Sequence, residues 1–571
     1  MPADGQSPFA SGNELAAREP PTTISRRTAL ASLAGLGLGT AVFQRALAAQ
    51  AEAAGKVTPE MVGQAEWIAG ITLTEDERTK AAGTLERDRQ RYVSLHDVPV
   101  GNAVPPAIAF FAAPPQESAG KAGRGEVRPL DVAVPERPAT DEELAFLPVT
   151  KLAALLRARK LTSVELTRLY LARLTKFDQR LKCVVTLTDE LALTQAEQAD
   201  REIAAGRYRG PLHGVPWGAK DLIPYPGYKT TWGAEHFQDQ TLDTKASVAR
   251  RLEEAGAVMV AKLTLGALAL GDQWFGGMTR NPWNPEEGSS GSSAGPAAAV
   301  VAGLVGFAIG SETLGSIVSP SRQCSATGLR PTFGRVSRTG CMTLAWTMDK
   351  LGPLCRSVED CALVLGAIHG YDGQDLAAVD RPFHWPPTRE VQSLRVGYVE
   401  TDKPLDERPE IEVLRKLGVK LVPIKLPDRY PVGALTLILN TETAAAFDDI
   451  TLAGVRDGLG RWAMPFRTGR FVPAVEYLRA NRIRTLLMRD MEEVMREVDA
   501  YVEGDDLTLT NLTGHPTIVV PFGERNPEKS KQPGTIAFTG RLFGETDLLL
   551  LAHAFQQATD AHLRRPPLEG A

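Results

Sequence analysis

The chain has 571 residues, with 64 Lys and Arg against 69 Asp and Glu and a formal net charge of -5. This length exceeds what one small core needs, and the composition is that of an ordinary globular protein. The sequence contains no concentrated basic stripe, which argues against nucleic acid as a partner.

The first 48 residues carry the pattern of an export signal. Arg26 and Arg27 directly precede an uncharged stretch from Thr28 to Phe43, and an A-x-A step follows at 46–48. This order is typical of a cleaved targeting segment, and the run is shorter than the roughly 20 residues that a membrane-spanning helix needs. We therefore expect a twin-arginine-like signal, a periplasmic or secreted protein, and no stable membrane span. An accidental arginine pair, which would leave the protein in the cytoplasm, is the alternative.

Two helix starts follow the signal. Pro59 suits the first turn of a helix, and Thr74 with Glu77 forms a capping box, in which each side chain accepts a backbone N–H of the other residue. These signals predict a helical N-terminal extension over 49–104. From 105 to 140 the sequence is rich in Pro, Gly and Ala and has no apolar period, which predicts a linker or a surface strap.

Residues 141–565 alternate helix-like and strand-like segments. Thr162 and Glu165 form another capping box ahead of a helical apolar stripe. Short β-branched runs predict buried strands, and one late apolar run predicts a helix that packs on them; these are Cys183–Leu187, Val258–Lys262 and Ile518–Phe522, then Leu548–Phe555. The alternation predicts an α/β domain over 141–565.

The cysteines are odd in number and show no C-x-x-C spacing: Cys183, Cys324, Cys341, Cys355 and Cys361. That pattern argues against a zinc site and a dithiol redox site. It favours small, buried, apolar side chains. We expect neither a metal nor a cofactor.

A stretch rich in small residues runs from Gly288 to Pro320. Gly/Ser clusters flank an apolar segment, GPAAAVVAGLVGFAIG. As backbone, the pattern predicts a loop at 288–295 and a buried helix over 296–309 with proline in its first turn. A plain loop does not explain why small residues recur directly after the apolar segment. One of the serines is therefore a candidate nucleophile.

One interpretation of this stretch is a nucleophile elbow. Residues 291–295 match G-x-S-x-G, which would make Ser293 the nucleophile with His369 or His515 as its base. Such an elbow needs a buried strand directly upstream. The upstream sequence, NPWNPEEGSS, has two prolines, two glutamates and no apolar run, so it does not predict that strand.

The block GVPWGAKD supplies a candidate base, Lys220. Its sequence neighbours include Trp217 and Leu222. An ammonium surrounded by such residues loses hydration, which lowers its pKa toward a range in which the neutral amine is available as a base. On spacing alone, a solvated surface lysine after a Gly/Pro turn fits as well.

Several ordered blocks between about 141 and 565 resemble the amidase signature family. They are GVPWGAKD, the Gly/Ser cluster, GSETLGSIVSPSRQCSATGLRPTFGRVSRTG, LAWTMDKLGPLCRSVEDCALVLGAIHGYDGQD and TNLTGHPTIVVPFG. The resemblance implies an α/β fold in which helices cover both faces of a central mixed β-sheet. It also implies an amidase, a hydrolase that acts on carbon-nitrogen bonds of small linear amides without a cofactor. Whether the chain forms a homodimer is left open by the sequence.

The family's catalytic set is Ser, Ser and Lys, and each member is carried over by its motif. The serine of the family's G-G-S-I-R-x-P block falls on Ser316, which the resemblance makes the nucleophile. The bridging serine of the G-G-S-S-G-G block, in a cis peptide, falls on Ser292, the relay. The family's lysine falls on Lys220, the general base that a serine nucleophile needs. The resemblance also implies an oxyanion hole made by the backbone N–H groups of Thr313, Leu314, Gly315 and Ser316.

Three positions depart from the family pattern. Leu314 replaces a glycine, so the oxyanion turn must tolerate a side chain there, and we expect a narrower acyl pocket. Val318 stands where the family has Arg, and Glu312 where it has Asp. Loss of the arginine disfavours a substrate held by its carboxylate, and so disfavours glutamine as an ammonia donor. The alternatives are a non-catalytic binding protein with the same fold and an amidotransferase A-type glutaminase subunit. No motif in 371–500 identifies the natural amide.

Overall fold

The computed structural model describes residues 56–101, 104–108, 125–131, 133–401, 403–502, 504, 506–525 and 531–568. The described residues from Pro59 onward form one compact unit. The export signal expected at 1–48 lies outside the described residues and stays a prediction. Within the described ranges, no helix is both long enough and apolar enough to cross a membrane.

The helices, numbered along the chain, are α1 (Pro59–Ala69), α2 (Glu75–His96), α3 (Asp141–Ala145), α4 (Val149–Arg157), α5 (Ser163–Leu181), α6 (Asp189–Ala204), α7 (Ser247–Glu254), α8 (Ala294–Val301), α9 (Val318–Cys324), α10 (Val358–Ile368), α11 (Pro409–Lys416), α12 (Leu437–Ala446), α13 (Asp448–Leu452), α14 (Ala463–Gly469), α15 (Ala474–Glu497), α16 (Leu507–Thr513) and α17 (Glu545–Thr559). Short 3-10 helices lie at Glu235–Phe237, Ala267–Ala269, Val391–Ser393, Leu405–Glu407, Ala434–Thr436, Gly460–Trp462 and Ala561–Leu563. The strands are β1 (Val184–Leu187), β2 (Pro216–Lys220), β3 (Val258–Leu263), β4 (Gln273–Trp274), β5 (Gly277–Met278), β6 (Arg280–Asn281), β7 (Asn284–Gly288), β8 (Phe307–Glu312), β9 (Thr327–Arg330), β10 (Lys350–Cys355), β11 (Arg395–Val399), β12 (Lys420–Ile424), β13 (Ala500–Val502), β14 (Thr517–Pro521) and β15 (Thr535–Gly540).

An 11-stranded mixed sheet forms the centre of the molecule, in the order β1-β3-β2-β8-β10-β9-β14-β15-β13-β11-β12. Strands β3, β2 and β8 run parallel to one another, as do β13, β11 and β12. The other neighbours are antiparallel. This confirms the central mixed sheet that the family resemblance implies.

Helices cover both faces of this sheet. Phe307 and Ile309 of β8 belong to an apolar cluster with residues of α4, α7, α10 and α17, whereas Ala308 belongs to a second cluster with residues of α6 and α8. Successive side chains of a strand point to opposite faces, so the two clusters lie on opposite sides of the sheet. The expected fold class is confirmed.

The predicted helix starts and strands are confirmed. At the start of α2, Thr74 Oγ1 accepts the N–H of Glu77 and the Glu77 carboxylate accepts the N–H of Thr74; Thr162 and Glu165 do the same at α5. The predicted strands correspond to β1, β3 and β14, and the late helix to α17. Leu95 of α2 is buried in a cluster with residues of α12 and α15, so α2 packs against these two helices.

The buried helix predicted over 296–309 is wrong in its second half. Helix α8 ends at Val301, and β8 begins at Phe307. Gly303 lies at the turn with φ +65°, and a Cβ there would lie 3.0 Å from the Phe146 ring, so glycine fits this position. Periodicity cannot separate a buried helix from a buried strand in a fully apolar run, which explains the error.

Residues 125–131, in the 105–140 segment, lie against residues of the predicted amidase domain. Val127 forms a β-bridge with Trp385, and the N–H of Leu130 donates to the Glu359 carboxylate at 2.6 Å. The segment boundaries assigned from the sequence stay predictions.

Most of the cysteines are buried, as predicted. Cys183, Cys324, Cys355 and Cys361 are buried, while Cys341 is partly exposed, and all are free thiols. Burial raises the pKa of Cys341 to about 12. A thiol with such a pKa stays protonated near neutrality, so it is a poor nucleophile.

Candidate active site

The candidate active site lies at the carboxyl ends of β2 and β8. These strands are parallel neighbours in which Ala219 pairs with Ile309. Lys220 is the last residue of β2, and Ser311 is the next to last residue of β8. The carboxyl ends of parallel strands meet at one edge of a sheet, which is where α/β proteins place their ligands.

Lys220 is fully buried, and its Nζ lies within hydrogen-bond distance of three serines. Its Nζ lies 2.8 Å from Ser292 Oγ and 3.1 Å from Ser293 Oγ. It also lies 2.9 Å from Ser311 Oγ and 3.2 Å from the Ser311 carbonyl oxygen. The lysine is therefore desolvated and held by neutral groups, as its apolar sequence neighbours predict.

Burial lowers the pKa of Lys220 well below its usual value of 10.5, and two carboxylates, Asp349 and Glu312, act in the opposite direction. The neutral form of an amine accepts a proton and the protonated form donates one. Lys220 can therefore exchange a proton with a serine hydroxyl at a pH well below the usual pKa of lysine.

Ser292 lies between the base and the start of α8. It is 1% exposed, and the Gly291–Ser292 peptide bond is cis. Its hydroxyl hydrogen-bonds Lys220 Nζ, which donates when protonated and can accept the hydroxyl proton when neutral. In the part of the chain that the structure describes, no hydrogen bond joins the hydroxyls of Ser292 and Ser316.

Ser293 connects three parts of the site. Its hydroxyl accepts the N–H of Ser311 and donates to the Ser311 carbonyl oxygen, both at 3.1 Å. Its own N–H donates to the carbonyl oxygen of Ser316 at 2.9 Å. Ser293 thus holds the start of α8 against β8 and against the turn that carries Ser316.

The turn between β8 and α9 carries Ser316, which is 9% exposed. Glu312 Oε2 accepts the N–H groups of Ile317 and Val318 at 2.8 and 2.9 Å. These two amides follow Ser316 directly. Their hydrogen bonds to one carboxylate fix the position at which the turn ends.

Glu312 is fully buried and bound to a cation and an amide. Its Oε1 accepts from Arg330 Nη1 at 2.8 Å and from Asn511 Nδ2 at 2.8 Å. Burial acts to raise the pKa of Glu312, but the charges of Arg330 and Lys350 outweigh it and lower the pKa to about 2. Arg330 on β9 therefore supplies a buried cation beside the turn, although Val318 occupies the family's arginine position.

The turn also offers backbone donors. In the described chain, the N–H groups of Leu314, Gly315 and Ser316 have no acceptor within the protein. Gly315 has φ +84°, and a Cβ there would lie 2.9 Å from Ser319 Oγ and 3.0 Å from Leu507 Cδ2, so glycine is required. Leu314 lies outside the left-handed region and is partly exposed, so the turn tolerates a side chain there, as expected.

A cavity of about 220 Å³ lies beside this turn. It is lined by Ser311, Thr313, Asp349, Lys350 and Leu351, and by Leu222, Ala269 and Asp375. Segment 338–346 lines the rest of it and is called the cavity wall below. This volume suits a small substrate group rather than a drug-sized ligand.

A larger cavity is separate from this site. It has a volume of about 610 Å³, and its lining residues include Arg356 and His553 but none of the predicted catalytic residues. Within the described ranges, no group of three or more His, Cys, Asp or Glu side chains is placed to hold a metal ion.

The nucleophile elbow is not formed. Strand β7 precedes Ser293, but it pairs with β6 in a separate two-stranded sheet, and none of its residues is buried. His515 Nδ1 bonds to Thr513 Oγ1 at 2.8 Å, and burial lowers the pKa of His515 to about 3. Among the described hydrogen bonds, neither His369 nor His515 contacts Ser293. The geometry agrees with the exclusion of the elbow.

Sequence reasoning missed Ser311 and Asp349. Ser311 contacts Lys220, but from the sequence alone it is placed only in the small-residue cluster that follows the apolar segment and is given no role. Recognition of the strand would have placed Ser311 at a carboxyl end, where α/β sheets carry functional groups. Asp349 precedes β10, and the pairing of Lys350 with Glu312 brings it beside Thr313. No local pattern in the sequence marks that contact.

Comparison with known proteins places these residues in a family context. The Amidase family matches residues 165–504. The chain is 34% identical over 487 residues to the A-type subunit of glutamyl-tRNA(Gln) amidotransferase from Geobacter metallireducens, and the match covers 74% of this chain and 99% of that protein. It is 35% identical over 487 residues to the protein of the same name in Chloroflexus aurantiacus, covering 75% and 99%.

Solved structures give the same result. The native peptide amidase of Stenotrophomonas maltophilia superposes with a TM-score of 0.64 at 30% identity, covering 74% of this chain and 98% of that chain. A bacterial aryl acylamidase of the amidase signature family shares the fold, with a TM-score of 0.66 at 21% identity over 74% and 99% of the two chains. Lys220, Ser292 and Ser316 all lie within the matched range 165–504. This chain belongs to the amidase signature family.

Proposed function

We propose that the chain hydrolyses a carboxylic amide through an acyl-enzyme on Ser316, with Ser292 as relay and Lys220 as general base. The observation that carries this proposal is the contact of 2.8 Å between the buried Lys220 Nζ and Ser292 Oγ. A serine hydroxyl is a weak nucleophile at neutral pH and needs a base within hydrogen-bond reach. A desolvated, neutral lysine beside a serine supplies that base.

In acylation, neutral Lys220 takes the proton of Ser292 while Ser292 takes the proton of Ser316, whose oxygen attacks the amide carbon. The carbonyl oxygen becomes negative, and the uncommitted N–H groups of the turn at 314–316 are the donors for it. The proton then returns through Ser292 to the leaving amine as the C–N bond breaks. Water repeats the sequence on the ester and releases the acid. The contact between the two hydroxyls forms in the substrate complex, since catalytic hydrogen bonds are often long in free enzymes.

A second candidate function is that of a glutaminase subunit of the amidotransferase A type. Relatives of that name are 34% and 35% identical to this chain over nearly their full lengths, which favours it. Val318 in the position of the family's arginine disfavours it, because no cation at that position is available to hold the glutamine carboxylate. The simple amidase should prefer uncharged amides. Efficient release of ammonia from glutamine by the chain alone would reverse this order.

The test uses the purified full chain and a panel of aryl, alkyl and peptide amides with glutamine included. A fluorophosphonate probe followed by intact mass reports the nucleophile directly. We expect one adduct on the wild type and on the matched control Ser319→Ala, and none on Ser316→Ala, with turnover following the same pattern. Absence of both adduct and turnover in the wild type would favour the third candidate, a non-catalytic binding protein.

We also infer that the chain is exported and acts in the periplasm or outside the cell. The support is the order of Arg26, Arg27, an apolar run and A-x-A at the start of the sequence. The twin-arginine route carries proteins that are already folded. Export by this route is therefore compatible with the free cysteines of the chain, because the protein does not have to form disulfides after export.

A further inference from the structure

The cavity wall and the nucleophile turn share one carboxylate, Asp349. Its Oδ1 accepts the hydroxyl of Thr313, the first residue of the turn, at 2.6 Å. Its Oδ2 accepts the N–H groups of Leu344 and Ala345, in the cavity wall, at 2.8 and 3.0 Å. A carboxylate with three donors from two segments fixes the distance between those segments.

The ends of the cavity wall are anchored elsewhere. Arg338 is bound to Asp375 by two side-chain hydrogen bonds of 2.8 and 2.7 Å and by its backbone N–H at 2.9 Å. Directly after the wall, the N–H of Thr347 donates to the Glu442 carboxylate at 2.9 Å. Asp349 holds the part of the wall between these anchors, where Leu344 faces the cavity. A substrate group that fills the cavity therefore presses on a segment that is tied to the oxyanion turn.

Asp349 also acts on Lys220 through its charge. The groups bonded to Lys220 are neutral hydroxyls and a carbonyl, from Ser292, Ser293 and Ser311. The charged groups that act on it are Asp349 and Glu312. Glu312 is paired with Arg330 at 2.8 Å, whereas the bonded partners of Asp349 are a hydroxyl and two amides. Burial raises the pKa of the Asp349 carboxyl, while its hydrogen bonds and the charge of Arg338 act to lower it. The charge of Asp349 also acts on the buried Lys350, where it raises the pKa that burial lowers.

We propose that Asp349 is a positioning residue that sets the oxyanion turn against the substrate cavity and whose charge stabilises Lys220 in its protonated state. Proton transfer from Ser292 makes Lys220 cationic, so a nearby fixed negative charge favours the transfer. The proposal rests on the proposed function, because it takes Lys220 as the base. It adds a group that links occupation of the cavity to the geometry of the turn.

The decisive variant is Asp349→Asn. An asparagine of the same shape accepts the two wall amides with its oxygen and donates from its nitrogen to the Thr313 hydroxyl, which also acts as an acceptor. The three hydrogen bonds that link Thr313 to the cavity wall through residue 349, called the bridge below, are then kept. Only the negative charge is removed. The rising limb of kcat/KM against pH should move to lower pH by about one unit, because loss of a nearby opposite charge lowers the pKa of an amine. The plateau should fall by about tenfold because the base is weaker, with KM unchanged.

Three further variants separate bridge from charge. Asp349→Ala removes both, so the limb should shift as in Asp349→Asn and KM should also rise. Thr313→Val cuts the bridge and keeps the charge, so kcat should fall while the limb stays in place. Asp375→Asn is the matched control, since this carboxylate also lines the cavity but is paired with Arg338; the limb should not move. Circular dichroism and thermal unfolding of each full-length variant exclude misfolding as the cause.

A second readout makes the proposal independent of turnover. The full chain labelled with ¹³C-lysine, with Lys220→Met to assign the signal, gives the titration of Lys220 directly by NMR. A lower titration midpoint in Asp349→Asn supports the proposal, and it does so even if no amide is hydrolysed, in which case only the proposed function fails. An active enzyme in which neither the limb nor the Lys220 midpoint moves would overturn the role of Asp349 and leave the proposed function intact.

Discussion

Single alanine substitutions at Ser292 and Ser293 separate two hydroxyls that both lie within hydrogen-bond reach of Lys220, at 2.8 and 3.1 Å. The proposed mechanism gives them different tasks. Ser292 relays the proton, whereas Ser293 holds Lys220, β8 and the nucleophile turn in place. The two variants should therefore differ in the balance between lost rate and lost stability.

The contacts set the expected magnitudes. Ser292 Oγ accepts one hydrogen bond, from Lys220, so Ser292→Ala should change the unfolding midpoint little. It should lower kcat/KM by about 10³-fold, within the range for loss of a general acid-base group. Ser293→Ala leaves the N–H of Ser311 without its acceptor. Leaving a partly buried amide unpaired costs about 1–3 kcal/mol, so the midpoint should fall by a few degrees. Because Lys220 keeps Ser292 and Ser311, the rate should fall only about tenfold.

The assay is kcat/KM on one active amide, paired with thermal unfolding of the same preparations. Ser319→Ala, in the same Gly/Ser-rich stretch, is the control and should match the wild type in both. The assignment would be refuted if Ser293→Ala lost as many decades of rate as Ser316→Ala while Ser292→Ala kept most of its activity. That outcome would make Ser293 the relay.

Three more predictions follow from the site. The rate of the wild type should climb with pH and level off well below pH 10.5, because only neutral Lys220 is a base and burial lowers its pKa; Lys220→Ala should abolish this limb in a kcat/KM series against pH. Gly315→Ala should lower kcat by at least about tenfold with the fold retained by circular dichroism, since φ +84° and the close Ser319 Oγ leave no place for a Cβ in the oxyanion turn. Changing Arg26 and Arg27 to Lys should hold the unprocessed protein in the cytoplasm, because the translocon recognises guanidinium pairs; cell fractionation checks this, and normal export of the double variant would contradict it.

Local sequence signals predicted the structural features that depend on interactions between residues close together in the chain. A capping box joins residues three apart, so Thr74 with Glu77 and Thr162 with Glu165 could be recognised without any knowledge of the tertiary fold. The apolar neighbours of Lys220 indicated its burial only weakly, because a solvated surface lysine fits the same spacing.

Contacts between distant segments could not be predicted in this way. Asp349 accepts a hydrogen bond from Thr313, which lies 36 residues earlier in the chain. No sequence pattern around either residue predicts this contact. The boundary between α8 and β8 failed for a different reason. Every residue of that run is buried, so apolar periodicity carries no information about helix or strand.

The substitution at Val318 shows why a missing family residue has to be judged in three dimensions. Judged from the sequence alone, the absence of the family's arginine at position 318 removes a cation beside the nucleophile. In the structure, Arg330 bonds Glu312 from β9, and Val318 packs against Val519 and Ala537. Arg330 is fully buried, so it balances the charge of Glu312 but cannot reach a substrate carboxylate. The turn therefore keeps its internal cation and loses only the one that a charged substrate could have used, which strengthens the expectation of an uncharged amide.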